Sequence, residues 1–148
     1  MQAAGIRAFV GKLSMDISSR PSYVEHSAES SVESLTRFVQ KCVGMVSHLP
    51  PERRLVEPVI TPRFVPTCTN ELLAKLGRLS EEENLRVQSH MAEAHDQMQW
   101  VKLERGRNDI DVFASVSFGD MLLPFDESLL RTERSSDVPY DSSTLYVP

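Results

Sequence analysis

The stretch VEPVITPRFVPTCTNELLAKLGRL, residues 56–79, places a short β-branched run directly before an amphipathic segment. Residues 56–61 favour a strand, although Pro58 cannot donate a ladder hydrogen bond. Thr67 or Thr69 is suited to cap the helix that follows, whose apolar face repeats at helical spacing in Leu72, Leu73, Leu76 and Leu79. This stretch therefore predicts one strand followed by one helix.

The same order occurs upstream of this stretch. Residues 8–13 (AFVGKL) favour a strand because the run is short, apolar and partly β-branched or aromatic. Ser30 and Glu33 have the spacing of a capping box, which satisfies two amides at a helix start. We therefore expect a second strand–helix unit, with its helix over residues 30–45.

A third unit is predicted downstream. Residues 85–90 favour a strand, and residues 93–104 favour a helix that Gly106 ends. Successive strand–helix units favour a parallel sheet joined by crossover helices. In such α/β folds, functional side chains gather at the C-terminal ends of the strands.

The net charge and the number of cysteines exclude some classes of protein. The 148 residues carry 16 Lys+Arg and 21 Asp+Glu, for a formal net charge of −5. This acidic balance argues against binding to nucleic acid or to an anionic membrane. The two cysteines cannot form a disulfide framework, and the N-terminus lacks the pattern of a secretory signal. We therefore expect a cytoplasmic protein.

Composition changes at residue 114. Residues 114–148 contain six acidic and two basic residues together with seven serines and three prolines, and they show no sustained apolar period. We therefore expect two regions, an α/β domain over residues 1–113 and an acidic, Ser/Pro-containing, poorly ordered tail over residues 114–148.

Two pairs of side chains follow predicted strands and are candidates for chemistry. His90 offers a neutral imidazole, a common zinc ligand, and Glu93 offers a carboxylate that can move protons. Arg63 offers a fork of donors and Phe64 a ring face, which together suit a planar polar ring. Taken alone, each pair also fits an ordinary role: a surface histidine with a helix-start glutamate, or a surface arginine with a core phenylalanine.

Several short motifs, taken together, resemble guanine deaminases of the amidohydrolase superfamily. They are RAFVGK (7–12) with Met15 and Asp16, TPRF (61–64) with TCT (67–69), QSHMAE (88–93), and Trp100 with Val101. The resemblance covers about residues 6–113. It implies about three consecutive β/α units of a partial (β/α)8 TIM barrel, which is the fold of this metal-dependent family.

The resemblance also implies a function for the two pairs. By position, His90 is similar to a zinc-ligand histidine, and Glu93 to the carboxylate that moves protons between the zinc-bound water and the purine. Arg63 and Phe64 are similar to the pair that recognises the purine. The implied activity is hydrolysis of guanine to xanthine and ammonia in purine catabolism, with zinc as cofactor. Family members are often homodimers.

The chain also departs from the family pattern. It contains no H-x-H pair, and residues 114–148 contain no histidine, so most of the family's metal ligands are missing. A catalytic zinc needs at least three protein ligands. We therefore expect a fragment that is inactive alone. Two alternatives stay open, a non-catalytic interaction module that pairs its open sheet edges with another chain, and an unstable truncated product.

Overall fold

Short parallel strands pair with one another in the structure, a computed structural model that describes residues 1–18 and 20–116. The strands are β1 (Ala8–Val10), β2 (Leu13–Ser14), β3 (Val56–Pro58) and β4 (Thr61–Pro62). β1 pairs with β3 and β2 pairs with β4, both in parallel. Ile60 adds one parallel bridge to Val87. The predicted parallel order of the three strand regions is confirmed, and the chain is a mixed α/β protein.

The first two predicted strands are each divided into two pieces, and the third is reduced to the bridge at Val87. Gly11 lies at the break between β1 and β2, where a Cβ would overlap Thr61 Oγ1 and lie 2.9 Å from Val59 O. The backbones approach so closely at this point that only glycine fits. The prediction of an unbroken strand over residues 8–13 is therefore wrong.

Four α-helices lie within the described residues. They are α1 (Ala28–Val46), α2 (Asn70–Glu83), α3 (His95–Arg105) and α4 (Asp109–Ala114). The predicted positions of the first three are confirmed to within a few residues. Within residues 1–18 and 20–116, no helix qualifies as a membrane span.

The predicted helix caps are correct for α2 and α3 and wrong for α1. Thr69 caps α2 by accepting a hydrogen bond from Leu72 N at 3.1 Å, and Gly106 ends α3 in the left-handed conformation. The capping box predicted for Ser30 is wrong in register, because α1 begins earlier. Ser27 is the N-cap, and its side chain accepts from Ser30 N while Ser30 Oγ accepts from Ser27 N. A serine hydroxyl thus fills the role that Glu33 was expected to play.

The apolar core lies between the strands and the helices. Leu72, Leu73 and Leu76 of α2 have no exposed surface, which confirms the predicted apolar face. Leu35 of α1 and Phe113 of α4 are buried in the same cluster. This core packs against the strands and also buries Ser14 and Pro62, the last residues of β2 and β4. The predicted acidic tail lies, from residue 117 onward, outside the described residues.

Candidate active site

The strand ends bring the two predicted pairs of side chains to one edge of the sheet. Arg63, directly after β4, donates its backbone N–H to Ser14 O at 3.1 Å. His90 in turn donates its backbone N–H to Arg63 O at 3.3 Å. These two bonds continue the parallel order beyond the strands, so Arg63 and His90 lie on neighbouring segments.

Two side chains of the segment that carries His90 also bond to β4. Gln88 Nε2 donates to Thr61 Oγ1 at 3.1 Å, and Ser89 Oγ donates to Pro62 O at 2.8 Å. Gln88 and Ser89 belong to the QSHMAE motif, but no local sequence pattern assigns them this bridging role. They hold the segment that carries His90 against β4, although that segment has only one bridge.

His90 and Glu93 approach each other closely. His90 Nδ1 lies 3.5 Å from Glu93 Oε2, and the two side chains are 64% and 65% exposed. Between them, Ala92 adopts a left-handed backbone conformation with φ of 49°. This turn precedes α3 and lets both side chains reach the same side of the segment. An exposed imidazole–carboxylate pair of this kind can exchange protons with water or with a bound ligand.

Arg63 and Phe64 also contact each other. The guanidinium carbon of Arg63 lies 5.1 Å from the centre of the Phe64 ring, and its Nη1 donates to Met15 Sδ at 3.8 Å. The guanidinium is thus held between an aromatic face and a thioether. It keeps further N–H groups for a ligand, because a guanidinium carries five such donors. The arrangement can bind a flat ring that accepts hydrogen bonds.

The segment after β2, which contributes Met15 beside Arg63, is fixed by its own hydrogen bonds. Asp16 accepts hydrogen bonds from Thr69 N at 2.8 Å and from Thr69 Oγ1 at 2.5 Å. These bonds tie the end of β2 to the start of α2. The neighbouring Cys68 is fully buried, and burial raises the pKa of its thiol to about 12. Cys68 therefore stays protonated at neutral pH and is no candidate nucleophile.

Sequence reasoning assigned no role to a buried acid next to the site. Asp109 is only 4% exposed, and its Oδ2 accepts from Ala92 N at 3.4 Å. Burial raises the pKa of this carboxyl more than the hydrogen bond from Ala92 lowers it. No sequence signal singles out Asp109, because it lies beyond the last predicted helix and outside the quoted motifs.

The donor set fits a zinc ion only in part. His90 offers one imidazole and Glu93 one carboxylate, and no group of three or more His, Cys, Asp or Glu side chains that could hold a metal occurs within residues 1–18 and 20–116. Catalytic zinc sites use three protein ligands. The described residues therefore do not fit a complete zinc site by themselves.

Known proteins match this part of the chain. The Amidohydrolase family matches residues 1–113. The guanine deaminase of Dictyostelium discoideum is 43% identical over 98 residues, which are 66% of this chain and 20% of that protein. The chain thus spans about a fifth of the length of this relative.

Solved structures agree with the sequence matches. The guanine deaminase from C. acetobutylicum with bound guanine in the active site is 34% identical, with a TM-score of 0.65 over 78% of this chain and 26% of that one. Atrazine chlorohydrolase TrzN from Arthrobacter aurescens TC1, complexed with zinc, has a TM-score of 0.60 over 80% of this chain and 26% of that one, at 20% identity, and supports the fold alone. Since the family match covers the three strand ends and both pairs of side chains, this chain belongs to the amidohydrolase family.

Proposed function

We propose that this chain forms the purine-binding and proton-transfer part of a guanine deaminase, which hydrolyses guanine to xanthine and ammonia. The observation that carries the proposal is the juxtaposition of Arg63 and His90, joined by a backbone hydrogen bond of 3.3 Å within a segment that is similar to guanine deaminases. The guanine bound in the structure from C. acetobutylicum supports the choice of ligand.

Each side chain has a role that follows from its chemistry. Phe64 offers its ring face to the flat purine, and Arg63 donates hydrogen bonds to the acceptors at the purine edge. Glu93 takes a proton from the attacking water and passes it to a ring nitrogen of the purine. It then carries the proton of the newly added hydroxyl to the amino group, so that the C–N bond breaks, the carbonyl forms and ammonia leaves. His90 lies beside Glu93 and is suited to be one zinc ligand, with the remaining ligands supplied from outside the described residues.

The larger architecture is part of the same proposal. Parallel strands followed by helices are the repeating unit of a (β/α)8 barrel, and a full barrel needs about 250 residues. We therefore infer that the described residues form about three units of such a barrel. The resemblance to guanine deaminases extends the proposal to a homodimeric, cytoplasmic enzyme. Because the described residues supply fewer than three zinc ligands, we expect no ammonia release from the 148-residue chain alone.

The test is a chimera with a complete barrel. Residues 6–113 replace the equivalent segment of the C. acetobutylicum guanine deaminase, and ammonia release from guanine is measured. We expect the chimera to turn over guanine. In the chimera, Glu93→Gln should lower kcat by about 10²–10⁴-fold, the usual contribution of a positioned acid–base group.

Glu82→Gln is the matched control, because Glu82 is an exposed acid in the last turn of α2. It removes the same charge and should leave kcat unchanged. A folded chimera without activity, or a Glu93→Gln chimera that turns over at the parent rate, contradicts the proposal.

Exposed apolar side chains favour a second candidate function. Phe9 of β1 is 40% exposed and Leu13 of β2 is 52% exposed, although both lie on paired strands. A non-catalytic module that docks another chain on these strands would cover them. Sedimentation velocity tests this alternative on the purified chain at several concentrations and on the chain in cell extract. If the chain sediments as a monomer in every sample, the docking function is wrong.

A further inference from the structure

Asp109 is a buried acid, and burial of a carboxylate is energetically unfavourable. Its side chain opens α4 and is 4% exposed, whereas the next two residues along the chain are exposed. Removing a carboxylate from water is unfavourable unless hydrogen bonds compensate. One such bond comes from Ala92 N at 3.4 Å, 17 residues earlier in the chain.

Ala92 itself has an unfavourable conformation. Its φ of 49° lies in the left-handed region, which is unfavourable for a residue with a Cβ. Such conformations persist only where surrounding contacts hold them, and they concentrate at functional sites. The hydrogen bond to Asp109 is a contact of this kind, since it is made by the amide of the strained residue.

The strained residue lies between the two proposed functional side chains. His90 is two residues before Ala92 and Glu93 is the next residue, so the turn at Ala92 sets how the two side chains face each other. Their atoms are 3.5 Å apart in this conformation. A rotation of Ala92 into an ordinary helical or extended conformation would redirect Glu93.

We propose that Asp109 is a positioning residue, which holds Ala92 in its left-handed turn through the Ala92 N–H and thereby aims Glu93 at His90 and the purine. This role rests on the proposed function for the importance of Glu93. The contact itself belongs to the described residues and is measurable without turnover.

The experiment uses NMR on the 148-residue chain. The Cα and Cβ chemical shifts of Ala92 report its backbone conformation, and NOEs report the His90–Glu93 contact. Asp109→Ala removes the acceptor, so we expect Ala92 to leave the left-handed region and the NOEs to be lost. Asp109→Asn keeps an acceptor oxygen of the same reach and should preserve both signals.

The two variants separate positioning from simple stabilisation. If Asp109→Ala keeps the Ala92 shifts and the NOEs, the proposal is wrong, and equal losses in Asp109→Ala and Asp109→Asn overturn it as well. In case Asp109→Ala does not fold, the unmodified chain provides the test. Its Ala92 amide should exchange with deuterium at least tenfold more slowly than in an unstructured peptide, and exchange at the peptide rate overturns the proposal.

These measurements are independent of the deaminase assay. Failure of the proposed function appears as a chimera that is inactive or insensitive to Glu93→Gln. Failure of the positioning role appears as unchanged NMR signals in Asp109→Ala. The two results therefore distinguish which proposal is wrong.

Discussion

Gly11→Ala is predicted to be one of the most destabilising single-methyl additions in the described residues. The new Cβ would overlap Thr61 Oγ1, lie 2.8 Å from Thr61 Cβ and lie 2.9 Å from Val59 O. Thr61 is itself buried and its hydroxyl accepts from Gln88 Nε2, so it cannot move without disturbing the third strand segment. Overpacking of this kind costs about 1–3 kcal/mol.

Gly44→Ala is the matched control. Gly44 lies in α1 with nothing within 4 Å of an added Cβ. In a helix, alanine is more favourable than glycine by about 0.5–1 kcal/mol. The same chemical change should therefore destabilise at one glycine and stabilise at the other, a difference of roughly 1.5–4 kcal/mol in the free energy of unfolding.

Urea unfolding of the 148-residue chain measures both variants, followed by far-ultraviolet circular dichroism and by the fluorescence of Trp100, the single tryptophan. Gly11→Ala should lower the midpoint and Gly44→Ala should raise it. If Gly11→Ala is as stable as the parent while Gly44→Ala behaves as expected, the close approach of the strands at Gly11 is refuted.

Three further predictions concern a cap, an acid and the thiols. Thr69→Ala should lower the free energy of unfolding by about 1–2 kcal/mol in urea titrations, and Thr69→Ser should restore most of it, because either hydroxyl caps α2. Burial raises the pKa of Glu25, but its ion pair with Lys12 and other hydrogen bonds outweigh this and leave the pKa below its usual range. The lowered pKa of Glu25 therefore adds to the free energy of unfolding above pH ~4.5, and this contribution is lost as the pH falls through the folded-state pKa. Glu25→Gln removes the titrating group, so the free energy of unfolding should fall less steeply with decreasing pH than in the parent chain. With a thiol reagent at pH 8, half-buried Cys42 should react before buried Cys68, and equal rates would contradict the described burial.

The residues of the candidate site were proposed from the sequence, but their spatial arrangement was not. His90, Glu93, Arg63 and Phe64 were identified from their residue types and from a resemblance spread over short motifs, and their roles remain a prediction. The contact between His90 N and Arg63 O depends on the pairing of segments 27 residues apart. No local pattern specifies such a pairing, because strand register is set by the packing of distant residues.

Asp109 illustrates the same limit. In the sequence it follows Gly106, where the last predicted helix ends, so neither a helix nor a role was assigned to it. Only the packing of α4 buries it and directs it at Ala92, whose left-handed conformation is also invisible in the sequence. The contact between the buried acid and the strained alanine can be identified only from the tertiary structure.

The sequence by itself predicted the first three helices and some of their ends. Leucines at helical spacing predicted α2, and Thr69 and Gly106 marked a start and a stop, because helices are specified by contacts three or four residues apart. Tertiary structure alone decided where the strands break, which residues approach across them, and that Asp109 is buried. Those features depend on contacts between residues far apart in the chain, whose partners no single segment encodes.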